Sequence, residues 1–300
     1  MSASQRFWRE VRGYGEALIV AFLIVTFLFT TVGVVGRSMR PNLYGGNGGS
    51  LVQNILSGDR VFIPKYDTWL RRMNVLPHYQ RGEIVVVREP KNAPTAFRRT
   101  GIKSLQNVPL IKEIPAVQGR PFFIKRLVGL PGDRIKVVAG EVFVNGHKMD
   151  QGFITDTGEI TPFPLDFPRI IVQDGEITHF QGISDGTFSY FGGQFRPVPI
   201  ETPNVQLYYG ETLEALAPLP DDVVEGQAFV HDIIVPEGHY FVMGDNRSNG
   251  GSEDSRYFGP IDSITVAGRA TAIIWPPMRQ GERNWRVLSP PEAFDAIPED

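Results

Sequence analysis

Serine and lysine are the residues of this chain whose types could support covalent catalysis without a cofactor. Ser38 lies in the block GRSMRPNL, residues 36–43, and its hydroxyl could act as a nucleophile if a base removed its proton. Lys125 lies in FFIKRLVGLPGD, where strand alternation would place Phe123, Lys125 and Leu127 on one face, with Ile124 and Arg126 on the other. Apolar neighbours would desolvate the ammonium group, lower its pKa and allow the lysine to act as a neutral general base.

Each block also has a simpler interpretation. A strand lysine usually carries its ammonium group to solvent, and Lys136 in RIKVV shows the same alternation as Lys125. A serine that follows an apolar helix is usually a cap or part of a linker. The block around Ser38 is not a Gly-x-Ser-x-Gly elbow, because Arg40 occupies the last position, and the chain contains no Ser-x-x-Lys.

A third polar block, GDNRSNGGSEDSRYFGP at residues 244–260, combines turn-forming residues with alternating charges. As a calcium loop beginning at Asp245 it would put Arg247 and Arg256 at ligand positions, which argues against that interpretation. We predict that its charged residues form ion pairs that hold a loop rigid. The residues assigned to this structural set are Arg126, Asp245, Asn246, Arg247, Asp254 and Arg256.

An apolar segment precedes Ser38. Nineteen uncharged residues, Ala17 to Val35, could cross most of a bilayer as a helix. The run is longer than a typical signal-peptide core and is followed by VGRSMRP, which lacks an Ala-x-Ala cleavage site. We therefore expect residues 17–36 to be a transmembrane anchor and residues 1–16 a short cytoplasmic tail, with the remainder outside.

Composition excludes several other kinds of chemistry. The chain has no cysteine, so disulfides, thiolate nucleophiles and Cys-ligated zinc are excluded. The formal net charge of −3, without a basic stripe, argues against nucleic acid as a partner. We predict no metal site and no cofactor.

The strand signals dominate after residue 50. Short runs rich in β-branched and aromatic residues end in Gly, Pro or Asn. These runs are Arg60 to Pro64, Glu83 to Val87, Phe122 to Val128, Arg134 to Val138, Glu141 to Gly146 and His239 to Gly244. Outside the anchor, helical periodicity is weak, with one candidate at Asp67 to Asn74.

These patterns predict a mainly β fold: a single N-terminal transmembrane helix followed by a large antiparallel-sheet domain with a smaller inserted β domain. The large domain comprises residues 37–145 and 228–300. It includes an insertion at 90–119, which is polar and punctuated by proline. The inserted β-rich domain, residues 146–227, is expected to be non-catalytic.

Taken together and in this order, the three blocks resemble bacterial type I signal peptidases, the membrane-anchored serine proteases that remove secretory signal peptides. The matching patterns are SM-x-P-x-L after the apolar run, I-K-R-x-V-G-x-P-G-D, and G-D-N-R followed by D-S-R-Y-x-G. The resemblance implies that Ser38 is the nucleophile and Lys125 the general base. It also implies that the backbone N–H of Ser38 stabilises the oxyanion.

Three positions depart from the family pattern. Some members have a serine two residues before the nucleophile, where this chain has Gly36 without a hydroxyl. Asn42 stands where threonine is usual. Gly250 and Gly251 are extra residues before Ser252, so Ser252 matches the lysine-orienting serine only if the two glycines bulge out.

The resemblance also implies a substrate and a location. Signal peptides present small residues at the first and third positions before the cut, the Ala-x-Ala rule. Shallow apolar pockets for them would lie around Val34, Met39, Leu43, Phe123 and Ile124. The substrate would add as a strand beside the strand of Lys125. The expected partners are preprotein signal peptides and the lipid bilayer, with the catalytic domain on the periplasmic face of the inner membrane.

Three alternatives stay open at this stage. A Ser-His-Asp hydrolase could combine Ser38 with His231 or His239 and with Asp232 or Asp245. A non-enzymatic, membrane-anchored β scaffold would need no lysine in apolar surroundings. A peptidase with the same Ser and Lys pair could be dedicated to one class of exported protein, such as a pilus subunit.

Overall fold

The fold is described from a computed structural model, which covers residues 3–46, 57–94 and 122–298. Most of the predicted insertion at 90–119 lies outside these residues. The helices are Ala3–Leu23, Lys65–Arg72, Gly152–Thr155, Pro203–Glu214 and Ser255–Phe258, with a π-helical turn at Ile24–Leu28 and 3₁₀ turns at Ser263–Thr265 and Glu292–Phe294.

The strands, in chain order, are β1 (Phe29–Gly33), β2 (Arg60–Pro64), β3 (Ile84–Arg88), β4 (Phe122–Gly129), β5 (Arg134–Val138), β6 (Glu141–Val144), β7 (His147–Lys148), β8 (Arg169–Gln173), β9 (Glu176–Gln181), β10 (Phe188–Phe191), β11 (Gln194–Pro199), β12 (Phe229–Val230), β13 (Ile233–Ile234), β14 (His239–Met243), β15 (Ile261–Asp262), β16 (Val266–Arg269), β17 (Ala272–Trp275), β18 (Met278–Arg279), β19 (Glu282–Arg283) and β20 (Arg286–Val287).

The strands form antiparallel sheets, which confirms the predicted mainly β fold class. Two sheets carry the blocks singled out in the sequence, with strand orders β1-β2-β17-β20 and β15-β14-β4-β3-β16. A third sheet has the order β13-β5-β6-β7, and β18 pairs with β19. All six predicted strands are present, with ends that differ by at most two residues.

The sheet β10-β11-β9-β8-β12 is built almost entirely from the region predicted as an inserted domain. That region also contains the helix Pro203–Glu214, which the sequence analysis missed. Pro203 opens this helix, where a missing N–H costs nothing. The buried side chains of Val205, Tyr209 and Thr212 form its inner face.

The apolar run Ala17 to Val35 is not one helix, so the predicted helix bounds were wrong. The first helix begins at Ala3 and ends at Leu23, and Phe29–Gly33 pairs with β2 in the register Phe29↔Pro64 to Gly33↔Arg60. The β-branched residues Thr30, Thr31 and Val32 favour this extended conformation once a partner strand is available. In the described ranges, the structure contains no helix that is both long and apolar enough to span a bilayer.

Candidate active site

Lys125 is buried in the middle of β4. Lys125 is 3% exposed, and its Nζ lies 5.0 Å from the ring centroid of Phe123. Phe123 and Leu127 belong to one apolar cluster and Ile124 to another, which confirms the predicted alternation of β4. Burial lowers the pKa of Lys125 to about 8, although the Asp254 and Glu253 carboxylates act in the opposite direction. The lysine therefore loses its proton far more readily near physiological pH than an exposed lysine does.

Lys136, the competing lysine, lies in a different environment. Its side chain is 32% exposed, and its Nζ lies 3.3 Å from Oδ1 of Asp232. Lys136 is thus partly exposed to solvent and paired with a carboxylate, whereas Lys125 is buried. Alternation in sequence could not separate the two lysines, but burial does.

The loop that carries Ser38 is held at both ends. Before it, the N–H of Val34 donates to the carbonyl of Asp59 at 2.8 Å. Gly36 has φ = +81°, a left-handed conformation that glycine adopts without strain. The glycine at this position, a departure from the family pattern, thus has a conformational reason. After Ser38, the N–H of Leu43 closes a turn onto the carbonyl of Met39 at 2.8 Å.

The Ser38 loop is bonded directly to the residues that follow β14. The Ser38 carbonyl accepts a hydrogen bond from the N–H of Asn246 at 3.0 Å. The side-chain amide of Asn246 donates to the carbonyl of Arg37 at 3.1 Å. These two bonds fix the nucleophile candidate against the third block.

Gly244 is the point where the three blocks meet. Since Met243 pairs with Arg126 across β14 and β4, the next residue, Gly244, lies beside Lys125. A Cβ at residue 244 would collide with the side chain of Ser252 and with the carbonyl oxygen of Ser38. Only glycine therefore allows Ser38, Ser252 and the end of β4 to approach so closely. Sequence reasoning missed this role.

Ser252 is buried beside Gly244. It is 5% exposed, and its Oγ has no hydrogen-bond partner among the described residues. The preceding glycines make a tight turn: Gly250 has φ = +61°, and the N–H of Gly251 donates to the carbonyl of Ser248 at 2.9 Å. This turn accommodates the extra residues and returns the chain to Gly244.

Two buried ion pairs fix the rest of the loop. Arg126 donates to Asp245 through Nε at 2.7 Å and Nη2 at 2.6 Å. Arg256 donates to Asp254 through Nε and Nη2, both at 2.9 Å. The N–H of Gly244 donates to the same Asp254 carboxylate at 2.9 Å, which ties the pair to the meeting point of the blocks.

The prediction that Arg247 would form an ion pair was wrong. Its Nε donates to the carbonyl of Gly244 and its Nη1 to Oε1 of Gln151, both at 2.8 Å. Asp245, its neighbour in sequence, is already occupied by the bidentate Arg126. Within the block, Asp254 and Arg256 pair with each other, whereas Asp245 pairs with Arg126 of β4.

Residues of the inserted region support the Ser38 loop, which sequence reasoning also missed. The side-chain amide of Asn42 donates to the carbonyl of Phe153 at 3.2 Å and to Oδ2 of Asp245 at 2.9 Å. Glu159 accepts from Arg40 at 3.2 Å and from the Tyr44 hydroxyl at 2.9 Å. These partners are more than 100 residues apart in the chain, and no local pattern marks them.

Four of the five predicted substrate-binding residues lie together. Val34, Met39, Leu43 and Ile124 are buried in one apolar cluster with residues of β2 and β3. Phe123 lies on the opposite face of β4, where its ring stacks on Phe258 at a centroid distance of 6.3 Å. Met39 and Leu43, which follow Ser38 in the chain, are thus core residues at 1% and 0% exposed.

A model of the family described as signal peptidase, peptidase S26, matches residues 8–275. The chain belongs to this family. The match includes all three blocks and the elements that bring them together. The protein is therefore a serine peptidase, and signal-peptide cleavage is the reaction of the signal peptidase family.

Relatives of the signal peptidase family match most of the chain at low identity. Signal peptidase I of Buchnera aphidicola subsp. Schizaphis graminum is 25% identical over 298 residues, covering 93% of this chain and 78% of that protein. Signal peptidase I of Haemophilus influenzae is 26% identical over 289 residues, covering 89% and 69%. Signal peptidase I of Bacillus licheniformis is 24% identical over 262 residues, covering 87% and 84%.

One solved structure similar to this chain is a signal peptidase I from Enterococcus faecalis V583. It is 20% identical, with a TM-score of 0.30, and the alignment covers 65% of this chain and 99% of that one. At this TM-score, the comparison contributes nothing to the description of the site.

The histidines of this signal peptidase family member do not support a Ser-His-Asp site. His239 begins β14, and at about 3.3 Å per residue it lies roughly 17 Å from Gly244. The Nε2 of His231 lies 2.8 Å from the carbonyl oxygen of Ala217. Of the two aspartates considered for the triad, Asp245 is bound to Arg126, and Asp232 lies 3.3 Å from Nζ of Lys136.

Proposed function

We propose that this protein is a serine endopeptidase that removes N-terminal signal peptides from exported preproteins, with Ser38 as nucleophile and Lys125 as general base. The observation that carries the proposal is that the buried Lys125 lies beside Gly244. Gly244 in turn contacts the Ser38 carbonyl and the Ser252 side chain. Burial in apolar surroundings is what allows a lysine to accept a proton near pH 8.

The proposed reaction has two steps. Lys125 takes the hydroxyl proton of Ser38 as Oγ attacks the scissile carbonyl, and it then gives that proton to the leaving amine. The resulting acyl-enzyme is attacked by water, whose proton passes to Lys125 and then returns to Ser38. The backbone N–H of Ser38 is the proposed oxyanion donor, and Gly36 contributes no hydroxyl to it.

We propose that specificity follows from the apolar cluster of Val34, Met39, Leu43 and Ile124, with Phe123 at the other face of β4. These side chains are packed against β2 and β3, and the proposal is that the substrate meets them as shallow apolar pockets for a methyl group. Small residues at the first and third positions before the cut, Ala-x-Ala, match such pockets. Ser252 is the proposed group that orients the Lys125 ammonium.

The test is cleavage of a preprotein with an Ala-x-Ala site by purified, detergent-solubilised protein. Ser38→Ala and Lys125→Ala are each expected to reduce cleavage to background, whereas Lys136→Ala retains the wild-type rate. Full activity of Lys125→Ala with loss in Lys136→Ala would reject the base assignment. Cleavage that survives Ser38→Ala would reject the nucleophile assignment, and no cleavage by the wild-type protein would favour a non-enzymatic scaffold.

The pH dependence of kcat/KM provides an independent check. Only neutral Lys125 can accept the Ser38 proton, so kcat/KM should fall tenfold per pH unit below about pH 8 and level off above it. Initial rates between pH 6 and pH 10 measure this profile. A midpoint between about pH 6 and 7, typical of histidine, would contradict a lysine base.

We propose further that the protein is a single-pass protein of the inner membrane, with the catalytic domain on the periplasmic face. The supporting observation is the exposure of large apolar side chains toward the end of the first helix, at Leu18, Ile19 and Phe22. Extraction of membranes with alkaline carbonate should leave the protein in the pellet, and external protease should digest it in spheroplasts. Release by carbonate or protection from the protease would contradict this location.

A further inference from the structure

A cavity of about 450 Å³ lies between the inserted region and the loop after β14. Phe163, Phe188, Phe195 and Tyr208 line one wall, and Arg247 and Ser252 line the other. A volume of this size, with aromatic walls and a few polar groups, is typical of ligand-binding pockets.

The aromatic wall is a packed unit centred on Phe195. The Phe195 ring lies 5.1 Å from that of Phe188 and 6.2 Å from that of Phe163, both in edge-to-face geometry. Phe163 is also tied to the opposite wall, because its N–H donates to the carbonyl of Arg247 at 3.0 Å. The two walls are therefore held at a defined separation.

The cavity adjoins the reaction centre but is not the site proposed for the signal peptide. Ser252 lines it and also contacts Gly244, which in turn contacts the Ser38 carbonyl. None of Val34, Met39, Leu43, Phe123 and Ile124 lines it. A peptide that is cut at Ser38 extends to both sides of the nucleophile, so the cavity lies where the other half of the substrate can go.

The polar wall offers a donor that needs an acceptor. Arg247 is 2% exposed, and its Nη2 has no hydrogen-bond acceptor among the described residues. A buried guanidinium nitrogen without an acceptor costs free energy, which a carbonyl or carboxylate oxygen would recover. Arg256 on the same wall is already paired with Asp254.

We propose that this cavity binds the first residues of the mature chain, on the carboxyl side of the cut, with an aromatic or large aliphatic side chain against Phe195 and a peptide oxygen near Arg247. This inference rests on the proposed function. It gives the inserted region a role in substrate selection.

Two peptides test the inference: both carry the same signal sequence and Ala-x-Ala site, and they differ in Phe or Ala at the second and third mature positions. Wild type is expected to cleave the Phe peptide with a kcat/KM about tenfold higher. Phe195→Trp, which fills the cavity, should remove this preference by lowering kcat/KM for the Phe peptide to the value for the Ala peptide. Phe191→Ala is the matched control, because Phe191 is an exposed neighbour on the same hairpin that does not line the cavity.

Equal cleavage of both peptides by wild type, or an equal loss on both in Phe195→Trp, would overturn the inference. Failure of wild type to cleave either peptide would instead contradict the proposed function. In that case fluorescence anisotropy with a labelled mature-chain peptide still tests whether the cavity binds the mature chain. We expect about tenfold weaker binding to Phe195→Trp than to Phe191→Ala. Equal binding to both variants would overturn the inference.

Discussion

Lys125→Met is expected to abolish cleavage and at the same time to stabilise the protein. A neutral thioether cannot accept the Ser38 proton, so kcat/KM should fall by roughly 10⁴-fold, the upper range for general-base catalysis. Methionine fills a similar volume among Phe123 and its neighbours without a charge to desolvate. Loss of activity with a gain in stability distinguishes a catalytic lysine from a structural one.

The sign of the stability change follows from the pKa of Lys125, which is about 8 in the folded protein and about 10.4 in an unfolded chain. Between these two pKa values the unfolded state binds more protons than the folded state, so wild-type stability rises with pH across that range. Below the range, the full free-energy cost of burying the charged ammonium lowers wild-type stability. Lys125→Met should therefore increase the free energy of unfolding by about 3 kcal/mol at pH 7. The gain should vanish above about pH 10.4.

Urea titration of wild type and Lys125→Met at pH 7 and pH 10 measures the gain in the free energy of unfolding and its decrease at high pH. Lys136→Met is the control, because its ammonium is partly exposed and paired with Asp232, so its effect should stay within about 1 kcal/mol. A Lys125→Met variant that is less stable than wild type at pH 7 would show that the ammonium contributes to folding.

Asp245→Ala is expected to destabilise the fold by about 3–5 kcal/mol, the cost of leaving a buried charge without its partner. Arg126 is 2% exposed and loses both of its bonds to the Asp245 carboxylate, which leaves the carbonyl of Gly82 as its acceptor at 2.7 Å. Asn42 loses a bond as well. Because Asn42 and Asp245 join the Ser38 loop to the third block, activity should fall with stability.

The double variant Arg126→Met with Asp245→Ala separates charge from packing. Removal of both charges should recover most of the lost free energy, since no ion is then left unpaired. Lys148→Ala, which breaks an exposed pair with Glu141, should change stability by less than about 1 kcal/mol. If the double variant were as unstable as Asp245→Ala, the loss would come from packing and not from the buried charge.

Local patterns predicted the strands of the fold well. Alternation of β-branched and aromatic residues located β2, β4, β5 and β14 and placed Phe123 and Ile124 on opposite faces, because a half-buried strand must alternate. The same reasoning failed at Phe29–Gly33, since an apolar, β-branched run can be a strand or a helix and only the partner strand decides.

The candidate site was partly predictable. Ser38, Lys125 and the 244–260 block stood out by residue type and order. The burial that distinguishes Lys125 from Lys136, the space that requires Gly244, and the support of Asn42 by Phe153 depend on residues far apart in sequence. Such contacts leave no periodic or local signal in one chain.

The bond between the Asn246 side chain and the Arg37 carbonyl joins residues 209 positions apart. Synthesis makes the Ser38 loop long before its partner loop, so the candidate site cannot assemble until Asn246 has been made. Contacts of such long sequence separation form slowly in folding. A nascent chain that ends before residue 246 therefore carries Ser38 without the loop that fixes it in place.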